Sequence, residues 1–565
     1  MAVKMARNFP LHSELYAEKV LGGWLGKSIG GTLGAPYEGK KEILNLSFYD
    51  PVPEGSVSND DLDLQLVWLH VLQNKSLNLD VNDLAEAWLN HITYPFDEYG
   101  VAISNLKKGI RPPISGYHNN FFHDCLGAPI RSEIWAFISP AQPLKAMEYA
   151  YQDAIVDHAF DGVYGEVFLA AIESMAFVES RAEVLIDYGL AAIPENSRVA
   201  RAVRDTVEWF HRGLSWQEIR ELILLHHGHF NFTDCPQNIA FVILGWLCGG
   251  GDFEKSITTA VNCGYDTDCT GATLGAILGV ICRAGGIPQK WLAPIGNEVV
   301  VGSGVVGIEA PGTLADLSDL TCEFGEKSFT ERPQEACDLK ALRERSIQLA
   351  EKYRETLGFY KGESHSLIVD YQGLPVKTSQ TKAVNIKELE IKSSAAFSLH
   401  IPFIPAVYWD LKQIKGGKVE TQKPWQTQEG NLRLSELEDV GDFLLETYVY
   451  FDVPIKLNLL VDINGAVEVR VNGKEALAYH NHEPLLPAPH RCAPEDINSI
   501  NWQQGWNKLS ISIGKCGPQC ATEGWFRLAD SEHQLDNSAI FPASGQELID
   551  AARQYERELK CASSL

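Results

Sequence analysis

The chain has 565 residues, 45% of them hydrophobic, with thirteen Trp and a formal net charge of -26. That length exceeds what one hydrophobic core usually supports, so two or more domains are expected. The acidity excludes a general nucleic-acid or anionic-membrane binder, because such surfaces need clustered Lys and Arg against phosphates; it leaves open a nucleotide-like ligand held in one cleft.

Residues Met1 to Pro10 hold no apolar stretch of signal-peptide length, and the most apolar window, 271–282, is too short and glycine-rich to span a bilayer. Twelve cysteines without a regular framework fit reduced thiols. A cytoplasmic protein with no membrane span is expected. Helical periodicity then runs through residues 14–25, 62–72, 81–91, 144–157, 166–178, 199–211, 239–248, 253–261 and 336–357, which predicts an all-α region over 1–358. Asp157-His158 would end one of these helices and Gly165-Glu166 would start the next, putting polar groups in a loop where a cleft collects them. A histidine there also suits a packed helix C-terminus bonded to carbonyls.

Two acid-rich segments about two hundred residues apart each open an apolar, helix-like run: Ser58-Asn59-Asp60-Asp61-Leu62-Asp63 and Tyr265-Asp266-Thr267-Asp268-Cys269. Carboxylates in a first helical turn are favoured by its exposed N–H groups and by the macrodipole. Clustered with amide or hydroxyl oxygens, they suit a hard cation such as Mg²⁺ or Mn²⁺. Either segment alone reads more simply as an N-cap, Asn59 before Leu62 and Leu66, Asp266 before Leu274 and Leu278. The pair, with Gly271, Gly275 and Gly279 baring one face of the second helix to another backbone, points to a metal site in a packed core.

After about residue 365 the pattern alternates. Residues 457–463, the turn Asn464-Gly465, and 467–471 before Asn472-Gly473 read as strands joined by tight turns, with further strands at 506–513 and 525–528. A β-sandwich over 359–544 is expected, followed by a C-terminal helix over 545–565. Trp409, Trp425, Trp502, Trp506 and Trp525 read more readily as sandwich core than as a sugar-stacking platform. His480, His482, His490, Cys492, Cys516 and Cys520 are zinc-ligand types whose spacing matches no strong template.

Four segments within roughly the first 290 residues resemble the ADP-ribosylglycohydrolases, an all-α family of metal-dependent enzymes, and occur in family order. The stretch from Gly26 to Gly39 (GKSIGGTLGAPYEG) is similar to the family's opening glycine-rich helix and G-x-P-x-E turn, so that Glu38 matches its active-site glutamate. Asn59-Asp60-Asp61 stands at the T-D-D metal triad. The middle region, from Gly127-Ala128-Pro129-Ile130-Arg131 through Asp153 and Asp157-His158 to Gly162-Val163-Tyr164-Gly165, is similar to the one that lines the substrate cleft. Gly264 to Ala272 resembles the D-T-D-T metal segment.

The resemblance implies one or two Mg²⁺ or Mn²⁺ ions held by Asn59, Asp60, Asp61, Asp266, Asp268 and Cys269, with Glu38, Asp60 and Asp61 as catalytic groups. Arg131, Asp157, His158 and Tyr164 would line the substrate site, Arg131 receiving a phosphate or carboxylate unless it forms a surface ion pair. The implied reaction is metal-dependent hydrolysis of a glycosidic bond at the anomeric carbon of a ribose-type sugar. Its substrate would be an ADP-ribosyl conjugate or another small-molecule glycoside, with no nucleic-acid or membrane partner. Asn59 and Cys269 replace threonines of the family pattern, and Gly30-Gly31-Thr32-Leu33-Gly34 replaces G-D-A-L-G. An amide oxygen still suits a hard cation, whereas a thiol is soft. These departures point to a divergent branch. Its alternatives are a hydrolase of another carbohydrate or nucleoside glycoside, or a non-catalytic ligand-binding relative. The β-rich part resembles a galactose-binding-like jelly roll.

Overall fold

A computed structural model describes residues 14–360 apart from 95–96, 108, 119, 121, 230 and 332–337; beyond these it describes 367–369, 397–399, 407–427, 431–434, 442–481, 497–514, 523–529, 539–542 and 544–562. The amino-terminal region is helical. It comprises α1 (Glu14–Gly34), α2 (Asp60–Lys75), α3 (Val81–His91), α4 (Asp97–Lys107), α5 (Ser132–Phe137), α6 (Pro143–Ala154), α7 (Asp161–Ala176), α8 (Ala182–Ala192), α9 (Arg198–His211) and α10 (Trp216–His227). Then follow α11 (Cys235–Gly249), α12 (Phe253–Asn262), α13 (Thr267–Cys282), α14 (Gln289–Ile295), α15 (Leu314–Glu331) and α16 (Leu339–Tyr360). Among the described residues no helix is long and apolar enough to cross a membrane.

The amphipathic helices sit outside and carry ordinary caps: Ser215 and Glu218 form a capping box on α10, Asp80 and Asp83 one on α3. Helices apolar on all sides sit inside, and every residue of α7 is buried. The innermost contact is between α1 and α13, which run antiparallel, backbone against backbone. A Cβ added to Gly26 would stand 2.0 Å from the carbonyl oxygen of Gly275, and one added to Gly30 would stand 1.9 Å from that of Gly271. At the far end a Cβ on Gly279 would meet the Gly22 oxygen at 1.9 Å. Only glycine permits this approach, and it fixes the register of the pair to within one residue.

The carboxy-terminal region is all-β and antiparallel. Two short strands, β1 (Leu367–Val369) and β2 (Phe397–Leu399), pair with each other. The rest are β3 (Val407–Lys415), β4 (Lys418–Thr427), β5 (Asn431–Arg433), β6 (Asp442–Phe451), β7 (Ile455–Ile463), β8 (Gly465–Val471), β9 (Lys474–Asn481), β10 (Ile497–Trp502), β11 (Gly505–Gly514) and β12 (Glu523–Ala529). They form a six-stranded sheet, β4-β3-β6-β11-β8-β9, and a four-stranded sheet, β10-β7-β12-β5, whose inner faces share one core. Trp409, Trp502 and Trp525 are buried, while Trp425 and Trp506 are half-buried. The last helix, α17 (Gly545–Ala562), packs on β3, β6 and β11 and buries Leu548, Ala551 and Tyr555.

One expected hairpin is absent. β7 and β8 do not pair: Asn464-Gly465 carries the chain from the four-stranded sheet to the six-stranded one. The tight turn is Asn472-Gly473, where φ is 52° and 78° and Val471 pairs with Lys474, as a two-residue hairpin requires. Of the zinc-type residues in this region only His480 lies within the described residues, and it is exposed; His482, His490, Cys492, Cys516 and Cys520 lie outside them.

Candidate metal centre

The glycine register of α1 and α13 brings the Glu38 turn beside the start of α13. Thr267 Oγ1 donates to the Gly34 carbonyl at 2.8 Å. The two loops then lace together, the Gly39 N–H donating to the Tyr265 oxygen at 2.9 Å and the Tyr265 N–H to the Lys40 oxygen at 2.7 Å. Tyr265 takes φ of 67° to make this turn, a conformation costly for a non-glycine residue and common at functional sites. Asp266 and Asp268 therefore feel the charge of Glu38, which lies exposed above them.

The start of α2 supplies the other half. Asn59 is its N-cap, with Oδ1 accepting from the Asp61 N–H at 2.7 Å. Its amide nitrogen fills the space beside Gly31, where a Cβ would come within 2.5 Å of it. Two departures from the family pattern thus meet at one point: a longer side chain at 59 needs the missing one at 31. Capping explains Asn59 but not Asp266, whose side chain makes no cap bond.

Asp61, Asp266 and Asp268 are all buried, and each has at least one carboxylate oxygen without a hydrogen-bond partner. Donor atoms of Asp61, Asp268 and Cys269 lie within 4.8 Å of one another. Two full charges at that separation repel by about 3 kcal/mol at an effective dielectric constant near 20. Burial first, and then the neighbouring carboxylates, push Asp268 up to about 8 and Asp60 and Asp61 up to about 7, although Lys27 pulls Asp61 back. Asp266 is raised well above the ordinary carboxylate range for the same reasons. Orphaned, crowded acid oxygens of this kind fit a bound divalent cation.

Behind Asp61 lie residues that motif reading missed. Lys27 Nζ stands 3.9 Å from Asp61 Oδ1 and donates to Glu133 at 2.8 Å and to the Ile130 carbonyl at 3.0 Å. Gln65 bridges the same groups, donating to the Asp61 carbonyl and to Glu133. A lysine amid the glycine-rich, apolar second half of α1 was the available signal. Asp63, also in α2, is held by the Tyr94 hydroxyl at 2.6 Å and the Gly302 N–H at 3.0 Å.

Three of the four expected substrate-binding residues, Arg131, Asp157 and His158, form a buried ion network beside this cluster, with Glu98 3.6 Å from His158 Nε2 and its charge adding to the burial that raises the Asp60 carboxyl. Arg131 is buried, its fork filled by Asp153 and Asp157 at 2.8–3.3 Å, with the Trp88 ring 5.3 Å away. Neither a surface ion pair nor a site for a substrate phosphate describes it. Asp157 is buried; burial works to raise its carboxyl, but Arg131 and His158 outweigh that and hold it below the ordinary value. His158 is equally buried, with Nδ1 3.0 Å from Asp157 and Nε2 3.6 Å from Glu98. Burial lowers its pKa, yet these two carboxylates prevail and lift it to about 9. Tyr164 lies buried in the first turn of α7, and because that helix starts at Asp161, Glu166 is an interior residue 3.9 Å from Arg131 rather than a loop group.

A cleft of about 370 Å³ between α6 and α16, lined by Glu148, Tyr151, Arg345 and Tyr353 among others, includes none of the acidic cluster. Donor chemistry, not cavity size, therefore marks the site.

Curated proteins show no significant match to the chain. Among solved structures, one described as an ADP-ribosylglycohydrolase-related protein complex is 19% identical, with 59% of this chain and 100% of that chain covered and a TM-score of 0.39. A selenomethionine-labelled beta-glucosidase from Kluyveromyces marxianus is 9% identical, with 43% of this chain and 35% of that chain covered and a TM-score of 0.20. At such scores neither likeness bears on fold or activity. Residues 12–324, more than half of the 565, match the model of the ADP-ribosylglycohydrolase family, and the chain belongs to that family.

Proposed function

We propose that the protein is a divalent-cation-dependent glycohydrolase acting at the anomeric carbon of a ribose-type sugar, in an ADP-ribosyl conjugate or a related small glycoside. Family membership supports glycohydrolase chemistry. The cation rests on one observation: buried carboxylate oxygens of Asp61, Asp266 and Asp268 lack partners while their charges crowd together. An idle site gains nothing from that repulsion. Asp60, Asp61, Asp266 and Asp268 would hold the ion, with Asn59 and Cys269 as flanking donors.

A bound Mg²⁺ or Mn²⁺ would supply Lewis acidity, polarising sugar hydroxyls and lowering the pKa of water. The remaining chemistry belongs to side chains. Glu38, exposed beside the cluster on a loop tied to Tyr265, is the group to accept a proton from the attacking water. Asp60, half-buried at the N-terminus of α2, can accept hydrogen bonds from vicinal hydroxyls and so orient the ring.

The altered positions 31, 59 and 269 favour a second substrate reading, a nucleoside or other small glycoside on the same centre. One experiment serves both. Purified protein is assayed with ADP-ribosyl conjugates, nucleosides and aryl glycosides, with Mg²⁺ or Mn²⁺ and with chelator. Release of ADP-ribose only in the presence of the ion is expected. Turnover undiminished by chelator would overturn the cation-dependent reading, and turnover of nucleosides alone would select the second substrate class.

A further inference from the structure

We infer that Cys269 enters this centre as a thiolate ligand and tunes it toward a borderline divalent transition-metal ion, of the Zn²⁺ or Co²⁺ class, over Mg²⁺. The inference rests on the cation reading above and adds the chemical class of the ion.

Three observations carry it. The sulfur of Cys269 is one corner of a triangle with Asp61 and Asp268 whose sides are no longer than 4.8 Å. In a tetrahedral zinc centre with metal–sulfur and metal–oxygen bonds of about 2.3 and 2.1 Å, sulfur and oxygen stand roughly 3.6 Å apart, so small side-chain rotations would close the triangle on an ion. The thiol is also directed unlike its neighbours. Cys263 turns its sulfur onto the Thr259 carbonyl at 3.4 Å, and Cys282 turns its own onto the carbonyls of Arg283 and Gly279 at 3.5 and 4.0 Å, so both thiols are spent on backbone oxygens. Cys269 instead brings its sulfur within 4.8 Å of carboxylate oxygens of Asp61 and Asp268.

The third observation concerns the partners. Asp61, Asp266 and Asp268, all more than nine-tenths buried, keep oxygens without a hydrogen bond in the same pocket. One thiolate among carboxylates gives a mixed sulfur–oxygen donor set. Mg²⁺ prefers six hard oxygens at near-octahedral angles, whereas Zn²⁺ and Co²⁺ accept sulfur and lower coordination. On binding, the S–H bond breaks heterolytically, the electron pair remains on sulfur and is shared with the ion, and the proton leaves to solvent. No electron is transferred and no co-reactant is needed.

The test uses the full chain, stripped with chelator and titrated with Co²⁺ in the absence of oxygen. A thiolate-to-Co²⁺ charge-transfer band in the near ultraviolet is expected, and Cys269→Thr should bind Co²⁺ without it. Thermal melting should show a larger upward shift with Zn²⁺ than with equal Mg²⁺, the order reversing in Cys269→Thr. Should that variant not fold, peptide mapping of the wild-type chain after iodoacetamide assigns the sulfur: Zn²⁺ should lower Cys269 labelling at least tenfold and Mg²⁺ should not. Binding of Co²⁺ with no charge-transfer band, or Cys269 labelled equally with both ions, overturns the thiolate ligand and leaves the cation reading intact. No binding and no melting shift with any of the four ions, Mn²⁺ included, removes the cation reading itself.

Discussion

Asp268 and Arg131 both lie in segments that match the family pattern, and burial gives them opposite roles. Asp268 faces other acids, and its carboxyl, pushed up to about 8 by burial and by Glu38 and Asp60, is already close to neutral at pH 7 without an ion. Asp268→Asn should therefore change the stability of chelator-treated protein by no more than about 1 kcal/mol, while abolishing both the cation-induced rise in melting temperature and turnover. A variant that kept the full cation shift would exclude Asp268 from the centre. Arg131 is the reverse case. Replacing it with Met leaves the buried carboxylate of Asp153 without a cation and that of Asp157 with His158 alone, which costs about 3–5 kcal/mol in comparable networks. Urea unfolding should show that loss. A folded, equally stable variant with only a raised KM would restore the substrate-binding role. Sequence separated the two poorly because burial is not written in a motif: the arginine's partners lie 22 and 26 residues away. The carboxylate pairs at 60–61 and 266–268 were legible because each sits within one helical turn.

Among the elements, the α1–α13 contact was half legible. Glycines at 271, 275 and 279 announce a bare helix face, but a face alone does not name its partner. That partner is the matching row Gly22, Gly26 and Gly30, running the other way. Gly275→Ala should push the helices apart and cost about 1–3 kcal/mol by overpacking, more if the shift reaches the Thr267–Gly34 hydrogen bond. Because α13 carries Asp268 and α1 leads to Glu38, cation affinity measured by titration should fall in the same variant. Unchanged affinity alongside lost stability would uncouple the glycine row from the site. The hairpin error in the β region has a similar origin. Asn464-Gly465 and Asn472-Gly473 carry the same local turn signal, yet only tertiary packing sends β7 to one sheet and β8 to the other. Two short helices, α5 and α14, were likewise invisible to a pattern search: six and seven residues are too few to show a period, and α5 is buried throughout and needs no polar face.

Across the whole molecule, one buried cation outside the centre gives the stability a pH dependence of predictable sign. Lys19 lies near the amino end of α1, 9% exposed, and donates to the carbonyls of Ala176 and Val280, joining α1 to α7 and α13. Burial, with help from Arg283, lowers its pKa from 10.5 to about 8. The unfolded chain therefore holds this proton more tightly than the folded one between those two values, and the contribution of this group to stability rises with pH across that window. Below pH 8 the full cost of keeping the ammonium out of water is present. Lys19→Met removes that titration and leaves two carbonyls without a donor, a fixed loss that does not depend on pH. The stability of the variant relative to wild type should thus be most favourable at pH 7 and decline toward pH 10.5, titrating groups that do not interact with Lys19 cancelling in the difference. Urea midpoints at pH 7, 8.5 and 10 decide it. A difference that stays flat would mean the Lys19 ammonium is as well solvated in the fold as in the unfolded chain, and one that grows with pH would mean the two carbonyls stabilise the charged form beyond what water does.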